Sequence, residues 1–435
     1  MLKRKIINTL SKWQNSEDKR AILLMGARQV GKTTIIREFG ESHYEHFVEI
    51  NFEQSPSAMK AFEGDRDAKT VISQLSLMGY GPFVPNKTLV FFDEIQSCPN
   101  ARTAIKFLVE DGQFDYIESG SLLGINYKDV SSYPVGFEEQ VEMYPLDFEE
   151  FLWAMNVGED AIKMIREAYD KHTPLPDFVH EQMMKHYRTY LIVGGMPQVV
   201  TTYLNNKDFA ATLRQQRIIL NSYRDDIAKY AGSQKVKAKA FFDAIPTQLA
   251  KEKKRFQYNE LEPNAKARDY EDAAQWLADA GTAYFSYNLS TVELPFEFLE
   301  KRNLFKVFLL DTGLLCSMWK DKIQFKVMNG EIDINEGGLT ENFVAAELAK
   351  HGHKLHYYDK NSRQELDFVL QDGNKISIIE VKSGERYRQH ASLDNILETN
   401  GDKIEEAIVV SKFNLSEENG IKYLPLYMTM FVGKV

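Results

Sequence analysis

The chain has 435 residues, of which 43% are apolar and 27% are charged, and its formal net charge is −10. This length favours two or three domains over a single core. The acidic balance argues against a protein that binds polyanions over its whole surface, so any nucleic-acid surface must be local.

Cysteine content and apolar patterning indicate the compartment. Cys98 and Cys316 have no CxxC partner and no histidine cluster, which argues against a disulfide framework or a structural zinc and suits a reducing cytosol. The N-terminus, MLKRKIINTLSKW, is basic, but it spaces its apolar residues as an amphipathic helix does and lacks the continuous core of a signal peptide. No run approaches about 18 uninterrupted apolar residues, so we expect no membrane span and a cytoplasmic protein.

The first nucleotide signal is GARQVGKT, which follows the apolar run AILLM (21–25) and precedes the helical pattern TIIREF. The GxxxxGK[ST] template in the order strand, loop, helix predicts a phosphate-binding loop, in which backbone N–H groups and a helix N-terminus face the phosphates. Lys32 would reach the β- and γ-phosphates of ATP, and Thr33 would place its hydroxyl on Mg²⁺. The flanks disfavour the alternative, a chance glycine-rich turn. The predicted nucleotide contacts are Gly26, Ala27, Arg28, Gln29, Val30, Gly31, Lys32, Thr33 and Thr34.

The second nucleotide signal is the acidic pair Asp93-Glu94, which ends the apolar run TLVFF (88–92). The carboxyl end of a parallel strand is where α/β sheets bind ligands. We predict that Asp93 holds Mg²⁺ through water and that Glu94 is catalytic, polarising the attacking water. A solvated strand end would be favoured if the pair stood alone, but it is disfavoured beside the phosphate-binding loop.

A third predicted strand, 115–118, ends in Ser119-Gly120-Ser121. In P-loop ATPases of the additional-strand class, a polar residue at this place often touches the γ-phosphate, so Ser119 joins the predicted contacts, with Ser121 as an alternative. Both serines could equally be turn formers. A further strand within 44–53 and helices near 66–78 and 99–110 complete a βαβαβ order, which predicts an α/β fold with a doubly wound parallel sheet.

The middle of the chain begins with helical patterns, and a basic segment follows them. Helical patterns at 148–169, 178–191 and 198–230 are broken by the Gly-Gly-x-Pro run at 193–197, which predicts a hinge or domain seam.

From Lys229 to Arg268 the sequence has ten basic against four acidic residues. Short helices with a basic face, followed by a β element at 303–315, suit a winged-helix module that contacts DNA phosphates. The alternatives are a solvated basic face, or a face that docks on the acidic remainder of the same chain.

The stretch ELDFVLQDGNKISIIEVKSG (365–384) places charges in two predicted strands joined by a tight turn. Glu380 and Lys382 are two residues apart and share a face of their strand, and Asp367 can lie beside them. The amphipathic helix LTENFVAAELAKHG brings Glu341 from upstream. With a final strand expected at 425–432, this part of the chain predicts a small α/β domain.

This cluster has the composition of a metal-dependent phosphodiesterase centre. Carboxylates can fix Mg²⁺ or Mn²⁺, the metal lowers the pKa of bound water, and a lysine orients that water or offsets phosphate charge. The predicted metal ligands are therefore Glu341, Asp367 and Glu380, and the predicted catalytic lysine is Lys382. From chemistry alone, an ion pair between Lys382 and Glu380 or Asp367 is the favoured alternative.

The chain resembles the prokaryotic P-loop ATPases that pair an AAA-like N-terminal domain with a C-terminal DUF4143 domain, and the resemblance covers nearly the whole chain. It implies an additional-strand ATPase core, a winged-helix-like middle and a C-terminal domain similar to PD-(D/E)xK nucleases. With it, a nuclease-type centre, working or degenerate, is preferred to the ion pair. The matching segments are GARQVGKTT (26–34), LVFFDEIQ (89–96), SGSLL (119–123), PLDFEEFL (145–152), GGMPQVV (194–200), SYRDDI (222–227), LFKVFLLDTGLL (304–315), GGLTENFVAAEL (337–348), ELDFVL (365–370) and IIEVKSG (378–384).

The resemblance also implies a domain order and a function. The predicted domains are an AAA-like ATPase domain at 1–155, a helical connector at 156–230, a winged-helix-like domain at 231–325 and a nuclease-like DUF4143 domain at 326–435. The predicted function is Mg²⁺-dependent ATP binding and hydrolysis that controls a nuclease-like, DNA-facing C-terminal domain. The alternatives are a slow nucleotide switch with a catalytically inactive nuclease-like domain, or a domain that recognises a protein or RNA partner.

One departure from the family bears on hydrolysis. Before PLDFEEF the family usually has a Gly-Arg pair, whereas this chain has Val135-Gly136-Phe137. If that arginine senses the γ-phosphate, this protein hydrolyses ATP slowly or takes an arginine from elsewhere. Arg102 is one candidate for that arginine, and an arginine from a neighbouring copy in a homo-oligomer is another.

Overall fold

The computed structural model describes residues 2–120, 134–319, 323–329, 336–360 and 364–433. The chain divides into two compact units. The N-terminal unit consists of Arg4–Tyr144 with Asp279–Gly281, and the C-terminal unit consists of Met1–Lys3, Pro145–Ala278 and Thr282–Val435. No described helix is both long enough and apolar enough to cross a membrane.

The N-terminal unit is built on a parallel sheet. Its strands are β1 (Ala21–Met25), β2 (His46–Asn51), β3 (Thr88–Asp93), β4 (Asp115–Ser119) and β5 (Glu138–Glu142). Their spatial order is β2-β3-β4-β1-β5, and all neighbouring pairs are parallel. This confirms the predicted α/β class with a doubly wound parallel sheet. The loop GARQVGKT follows β1, and Glu94 follows β3. Because β4 lies between these two strands, one strand separates the two parts of the predicted nucleotide site.

The predicted helices of this unit are confirmed at 68–77 and 99–111. The α3 helix begins after Asp67, whose side chain accepts the Thr70 N–H, and α4 begins at Pro99, where a missing N–H costs nothing. Apolar side chains of the sheet, including Phe92, pack against these helices in one core. The helices are α1 (Ile6–Gln14), α2 (Lys32–His43), α3 (Ala68–Leu77) and α4 (Pro99–Asp111).

The C-terminal unit begins with helices. The predicted helix at 148–169 is two helices, separated at 155–158. The helix break at 193–197 is confirmed, whereas the hinge or domain seam expected there stays a prediction. The helices are α5 (Phe148–Ala154), α6 (Glu159–Asp170), α7 (Asp177–Val193), α8 (Pro197–Asn206), α9 (Phe209–Tyr230), α10 (Lys235–Leu249) and α11 (Ala267–Asp279).

In the described part of the remaining chain, two sheets and four further helices follow. The strands are β6 (Ala283–Leu289), β7 (Glu300–Leu309), β8 (His356–Asp359), β9 (Glu365–Leu366), β10 (Phe368–Asp372), β11 (Lys375–Val381), β12 (Ile404–Ser411), β13 (Ser416–Glu418) and β14 (Ile421–Pro425). The helices are α12 (Thr312–Met318), α13 (Ile323–Asn329), α14 (Glu336–Lys350) and α15 (Ala391–Asn400). One sheet has the order β7-β6-β8-β9 and the other β10-β11-β12-β14-β13.

The hairpin predicted in 365–384 is confirmed, because β10 and β11 are antiparallel and Asp372 faces Lys375 across the turn. The strand expected at 425–432 is wrong. The chain forms a short 3₁₀ helix at Leu426–Phe431 instead, with every side chain buried. A continuous apolar run fits a buried helical turn as well as a buried strand, and periodicity does not separate the two.

Several of the segments that match the family pattern meet in a buried polar network of the C-terminal unit. The Glu347 carboxylate accepts the Phe148 N–H at 3.1 Å, and Lys350 donates to Glu347 and, at 2.8 Å, to the Tyr190 hydroxyl. Asn342 accepts the Leu309 N–H at 2.7 Å and donates to its carbonyl. Side chains of the segment GGLTENFVAAEL therefore satisfy buried backbone groups, one of which is the Phe148 N–H in PLDFEEFL.

Candidate functional site

The loop between β1 and α2 has the shape of a phosphate cradle. It begins at Gly26, whose φ is +138°, and a Cβ there would lie 2.1 Å from the Met143 carbonyl oxygen, so only glycine fits. Among the described residues no side chain caps the N-terminus of α2, which leaves its first N–H groups available to an anion. The loop itself supplies Ala27, Arg28, Gln29, Val30 and Gly31, and Thr34 lies in the first turn of α2.

Lys32 is buried at the first position of α2, with 7% of its surface exposed. Its ammonium group donates to the carbonyl oxygens of Gly26 at 2.7 Å and Ala27 at 2.9 Å. Burial lowers the pKa of Lys32 to about 8, and the nearby carboxylates of Glu94 and Asp93 oppose this shift only in part. The lysine is therefore close to its point of deprotonation at ordinary pH.

Asp93 organises the carboxyl edge of the sheet. Its carboxylate accepts hydrogen bonds from Ser119 Oγ at 2.5 Å, Asn51 Nδ2 at 2.9 Å and Thr33 Oγ1 at 3.3 Å. Burial raises its pKa, although the bond from Ser119 opposes this. The predicted residues Thr33, Asp93 and Ser119 thus lie together, and hydroxyl and carboxylate oxygens are the ligands that Mg²⁺ prefers.

Glu94 follows directly and turns the chain away from the strand. Its φ of +53° is left-handed, a conformation that is uncommon for residues other than glycine and that clusters at functional sites. Gln96 donates to the Glu94 carboxylate at 2.5 Å. Asn51 and Gln96 were not predicted. The sequence does carry a signal for Asn51, because it is a polar residue at the end of a strand, as Asp93 is.

Two other sequence candidates have different outcomes. Arg102 is buried in α4 and pairs with the buried Glu138 carboxylate at 2.9 Å, which does not support a role at a γ-phosphate. Ser121 lies outside the described residues.

The titration of Lys32 should make nucleotide affinity depend on pH. Phosphates favour the charged lysine, and the nucleotide-free side chain loses its proton as pH rises through about 8. Above that pH, binding must take up a proton, so the dissociation constant of a fluorescent ATP analogue is expected to rise by up to about tenfold per pH unit. Titrations between about pH 7.5 and 9.5 measure this. Lys32→Arg, which stays charged, should give a flatter profile, and an equally flat wild-type profile would contradict the assignment.

In the C-terminal unit, the four predicted cluster residues also converge. Glu341 comes from α14, Asp367 lies between β9 and β10, Glu380 is on β11 and Lys382 follows it. Lys382 pairs with Glu380 at 2.8 Å, and Asp367 accepts the N–H of Val381 at 2.9 Å. The sequence therefore predicted which residues meet here.

Three charged residues that were not predicted complete the cluster. Lys306, on β7, has 2% of its side chain exposed and lies 2.8 Å from Glu365, 3.5 Å from Asp367 and 4.0 Å from Glu341, each measured from its ammonium nitrogen to a carboxylate oxygen. Lys254 pairs with the other oxygen of Glu341. We call Glu341, Glu365, Asp367 and Glu380 the carboxylate cluster.

The carboxylate oxygens of the cluster are not arranged to bind a divalent metal. Its oxygens face the ammonium groups of Lys254 and Lys306, and among the described residues no group of three or more acidic, histidine or cysteine side chains is arranged to hold a metal ion. Burial and the neighbouring Asp367 raise the pKa of Glu380 to about 7. The metal roles of Glu341, Asp367 and Glu380 stay predictions, and this arrangement does not support them.

Three family models match the chain in sequence. Residues 18–152 match an AAA domain, residues 184–324 match DUF8612, a domain of unknown function, and residues 336–428 match DUF4143, also a domain of unknown function. The N-terminal part of the chain thus contains an AAA domain. The chain as a whole combines this domain with a C-terminal DUF4143 domain, which confirms the predicted resemblance.

Similar chains and solved structures occur in several organisms. An uncharacterized protein of Methanocaldococcus jannaschii is 22% identical over 91% of this chain and 86% of its own length, and one of Haemophilus influenzae is 22% identical over 92% of each. The ORC1 protein of Aeropyrum pernix, solved in complex with DNA, aligns with 79% of this chain and 92% of its own at 12% identity and a TM-score of 0.28. The RuvB Holliday junction branch migration motor of Thermotoga maritima aligns with 65% and 89% at 14% identity and 0.28.

Proposed function

We propose that this protein is an Mg²⁺-dependent ATPase whose nucleotide state controls a DNA-facing C-terminal unit. The observation that supports it most is the arrangement around Asp93, where Thr33, Asn51 and Ser119 all donate to one carboxylate beside the buried Lys32. The AAA domain supports nucleotide binding and hydrolysis, and its family usually uses Mg²⁺.

Each residue of the site has a task in this proposal. Lys32 would leave the two loop carbonyls and donate to the terminal phosphates, while Thr33 and Asp93 would hold Mg²⁺. Ser119 and Asn51 would fix the orientation of the Asp93 carboxylate. Glu94 would accept a hydrogen bond from a water molecule and orient that water toward the terminal phosphate of bound ATP. The bond broken would be the one that joins this phosphate to the rest of ATP.

The DNA-facing part of the proposal relies on the basic segment 229–268. Several of its basic residues are exposed, which is what phosphate contacts require. Others are engaged within the chain, since Lys251 pairs with Glu260 and Lys254 with Glu341. The exposed residues are Lys229, Lys235, Lys239, Lys253, Arg255, Lys266 and Arg268.

One observation favours the second candidate, a nucleotide switch whose nuclease-like domain is catalytically inactive and serves for binding. Two lysines lie at the carboxylates where a nuclease centre would need a metal. The proposed control of the C-terminal unit by nucleotide state applies to both candidates.

Glu94→Gln tests both halves of the proposal. The amide cannot accept a proton from water, so ATP turnover is expected to fall by about 100-fold or more while ATP still binds. The variant is then compared with and without ATP in a DNA mobility shift at two salt concentrations. DNA affinity is expected to differ between the two nucleotide states and to fall with salt.

Glu41→Gln, on the exposed face of α2, is the matched control and should behave as wild type in both assays. Wild-type turnover in Glu94→Gln would contradict the ATPase assignment. Equal DNA affinity with and without ATP would contradict nucleotide control, and binding that ignores salt would contradict phosphate contacts.

A further inference from the structure

A cavity of about 650 Å³ in the C-terminal unit is lined by α11 and by the strands β6 and β7. This volume is typical of small-ligand sites. On the α11 side the lining includes Ala267, Ala274 and Ala278, whose short side chains leave room that larger residues would fill. The cavity shares no residue with the phosphate-binding loop or with the carboxylate cluster.

The strands supply aromatic rings to this cavity. Phe285 and Tyr287 are two residues apart on β6 and share a face of the strand, and their ring planes differ by only 20° with centroids 6.5 Å apart. Both residues are half-buried, and the buried Phe305 of β7 packs 5.3 Å from Phe285 between ring centroids. Two nearly parallel rings side by side form a shelf on which a planar ligand can stack.

A buried carboxylate, that of Glu300, also lines the cavity. Only 2% of this side chain is exposed, and its Oε1 atom pairs with Lys354 and, at 2.8 Å, with His356 Nε2. Burial opposes ionisation, but the hydrogen bonds from Lys354 and His356 lower the pKa of Glu300 below its usual value, so it is a carboxylate at neutral pH.

The second oxygen of this carboxylate indicates a ligand. Among the described residues Glu300 Oε2 has no hydrogen-bond partner, although Arg302 Nε lies 3.5 Å from it. Buried polar oxygens normally have a partner. Because an ionised carboxylate only accepts hydrogen bonds, the missing partner is a donor.

The charges around the cavity define the rest of the ligand. Arg268, Arg302 and Lys354 line it together with the carboxylates of Glu271 and Glu300. A wholly cationic ligand would meet the three basic groups, and a wholly anionic one would meet the buried carboxylate. A ligand with a planar donor at one end and a phosphate at the other avoids both conflicts. The side chains of Arg268 and Arg302 are 77% and 81% exposed and are therefore free to reach a phosphate at the mouth of the cavity.

Among nucleobases, guanine matches an ionised carboxylate best. Its Watson–Crick edge presents two adjacent N–H donors, at N1 and N2. Adenine, cytosine and thymine each present one donor group beside an acceptor, whose lone pair would face the carboxylate. The remaining guanine acceptor, O6, can accept from Lys354. Proteins bind unpaired bases in this way, by stacking on aromatic side chains and by hydrogen bonds to the base edge.

We propose that this cavity binds a guanine nucleotide, whose base stacks on Phe285 and Tyr287 and donates to Glu300 Oε2. The phosphate lies at Arg268 and Arg302. The nucleotide is a unit of a single strand or a free molecule, since both offer the same base and phosphate. All lining residues belong to the C-terminal unit, so the site does not rest on the proposed ATPase activity.

The test is fluorescence anisotropy of labelled strands of about 12 nucleotides with the full chain and no ATP. A thymidine strand with one central guanine is expected to bind about tenfold or more tightly than an all-thymidine strand. The latter has the same phosphates and measures contacts of the basic segment alone. The base 7-deazaguanine, which keeps the edge, should replace guanine without loss, whereas O6-methylguanine, which lacks the N1–H, should remove the preference.

Calorimetric titration with GMP, which lacks the terminal phosphates that the phosphate-binding loop would contact, separates the two sources. GMP that binds at least as tightly as the guanine strand identifies the free nucleotide as the ligand. GMP that binds about tenfold or more weakly identifies the strand.

Tyr287→Leu keeps the apolar bulk and removes the ring, so it should abolish the preference for guanine over thymine. Phe298→Leu is the matched control, because Phe298 is 84% exposed and lies outside the cavity, and it should bind as wild type does. Glu300→Gln should also abolish the preference. If that variant does not fold, as judged by circular dichroism, the comparison of guanine with O6-methylguanine on the wild-type protein tests the same hydrogen bond.

Two results would overturn the proposal. One is a wild-type protein that neither prefers the guanine strand nor binds GMP, and the other is guanine binding that is unchanged in Tyr287→Leu.

Discussion

Lys32→Ala is expected to abolish ATP hydrolysis, with turnover reduced by about 100- to 1,000-fold, because it removes the cation that would stabilise charge on the transferred phosphate. Nucleotide affinity should fall as well, since the lysine is already oriented into the loop by the carbonyls of Gly26 and Ala27. Phosphate release under saturating ATP and binding of a fluorescent analogue measure the two effects.

The free energy of unfolding of Lys32→Ala should equal or slightly exceed that of the wild-type protein. Lys32 is buried with a pKa lowered to about 8, so holding its charge at neutral pH costs folding free energy in the nucleotide-free protein. Lys60→Ala, an exposed lysine of the same unit, is the matched control and should leave hydrolysis unchanged. Hydrolysis that survives Lys32→Ala would refute the assignment of the loop.

The nucleotide site was predictable because its information is local. Eight consecutive residues, flanked by a strand and a helix, define the loop, and Asp93 and Ser119 each end a strand at the same edge of a parallel sheet. Parallel topology then brings the strand ends together. By contrast, β5 is an edge strand with the sequence EEQVE, in which Val141 is the single apolar residue, so no apolar run reveals it.

The cluster in the C-terminal unit was predictable only in part, for a physical reason. The spacing of Glu380 and Lys382 fixes their common face, but Lys254 lies 87 residues from Glu341 and Lys306 lies 61 residues from Asp367. Their pairing depends on how α10 and β7 pack against α14, which periodicity does not encode. A lysine inside the apolar strand LFKVFLL was a signal that a partner had to exist.

Asp311→Ala is expected to lower the free energy of unfolding by about 3 to 5 kcal/mol, because it leaves two buried backbone donors without a partner. The Asp311 carboxylate is fully buried and accepts the N–H of Gly195 at 2.6 Å and that of Leu314 at 2.9 Å, where it caps α12. A Cβ on Gly194 would lie 2.2 Å from this carboxylate. Glycine at this position, where the helix ends, therefore leaves the space that the Asp311 side chain occupies.

The size of the loss separates a buried cap from an ordinary one. Asp208 caps α9 in the same unit by accepting the N–H groups of Ala210 and Ala211, but it is exposed. Asp208→Ala should therefore cost only about 1 kcal/mol, because water can replace the carboxylate. Asp311→Asn, which keeps one acceptor oxygen, should fall between the two. Urea unfolding followed by circular dichroism measures all three, and an equal loss at Asp208 and Asp311 would show that the buried network adds nothing to a surface cap.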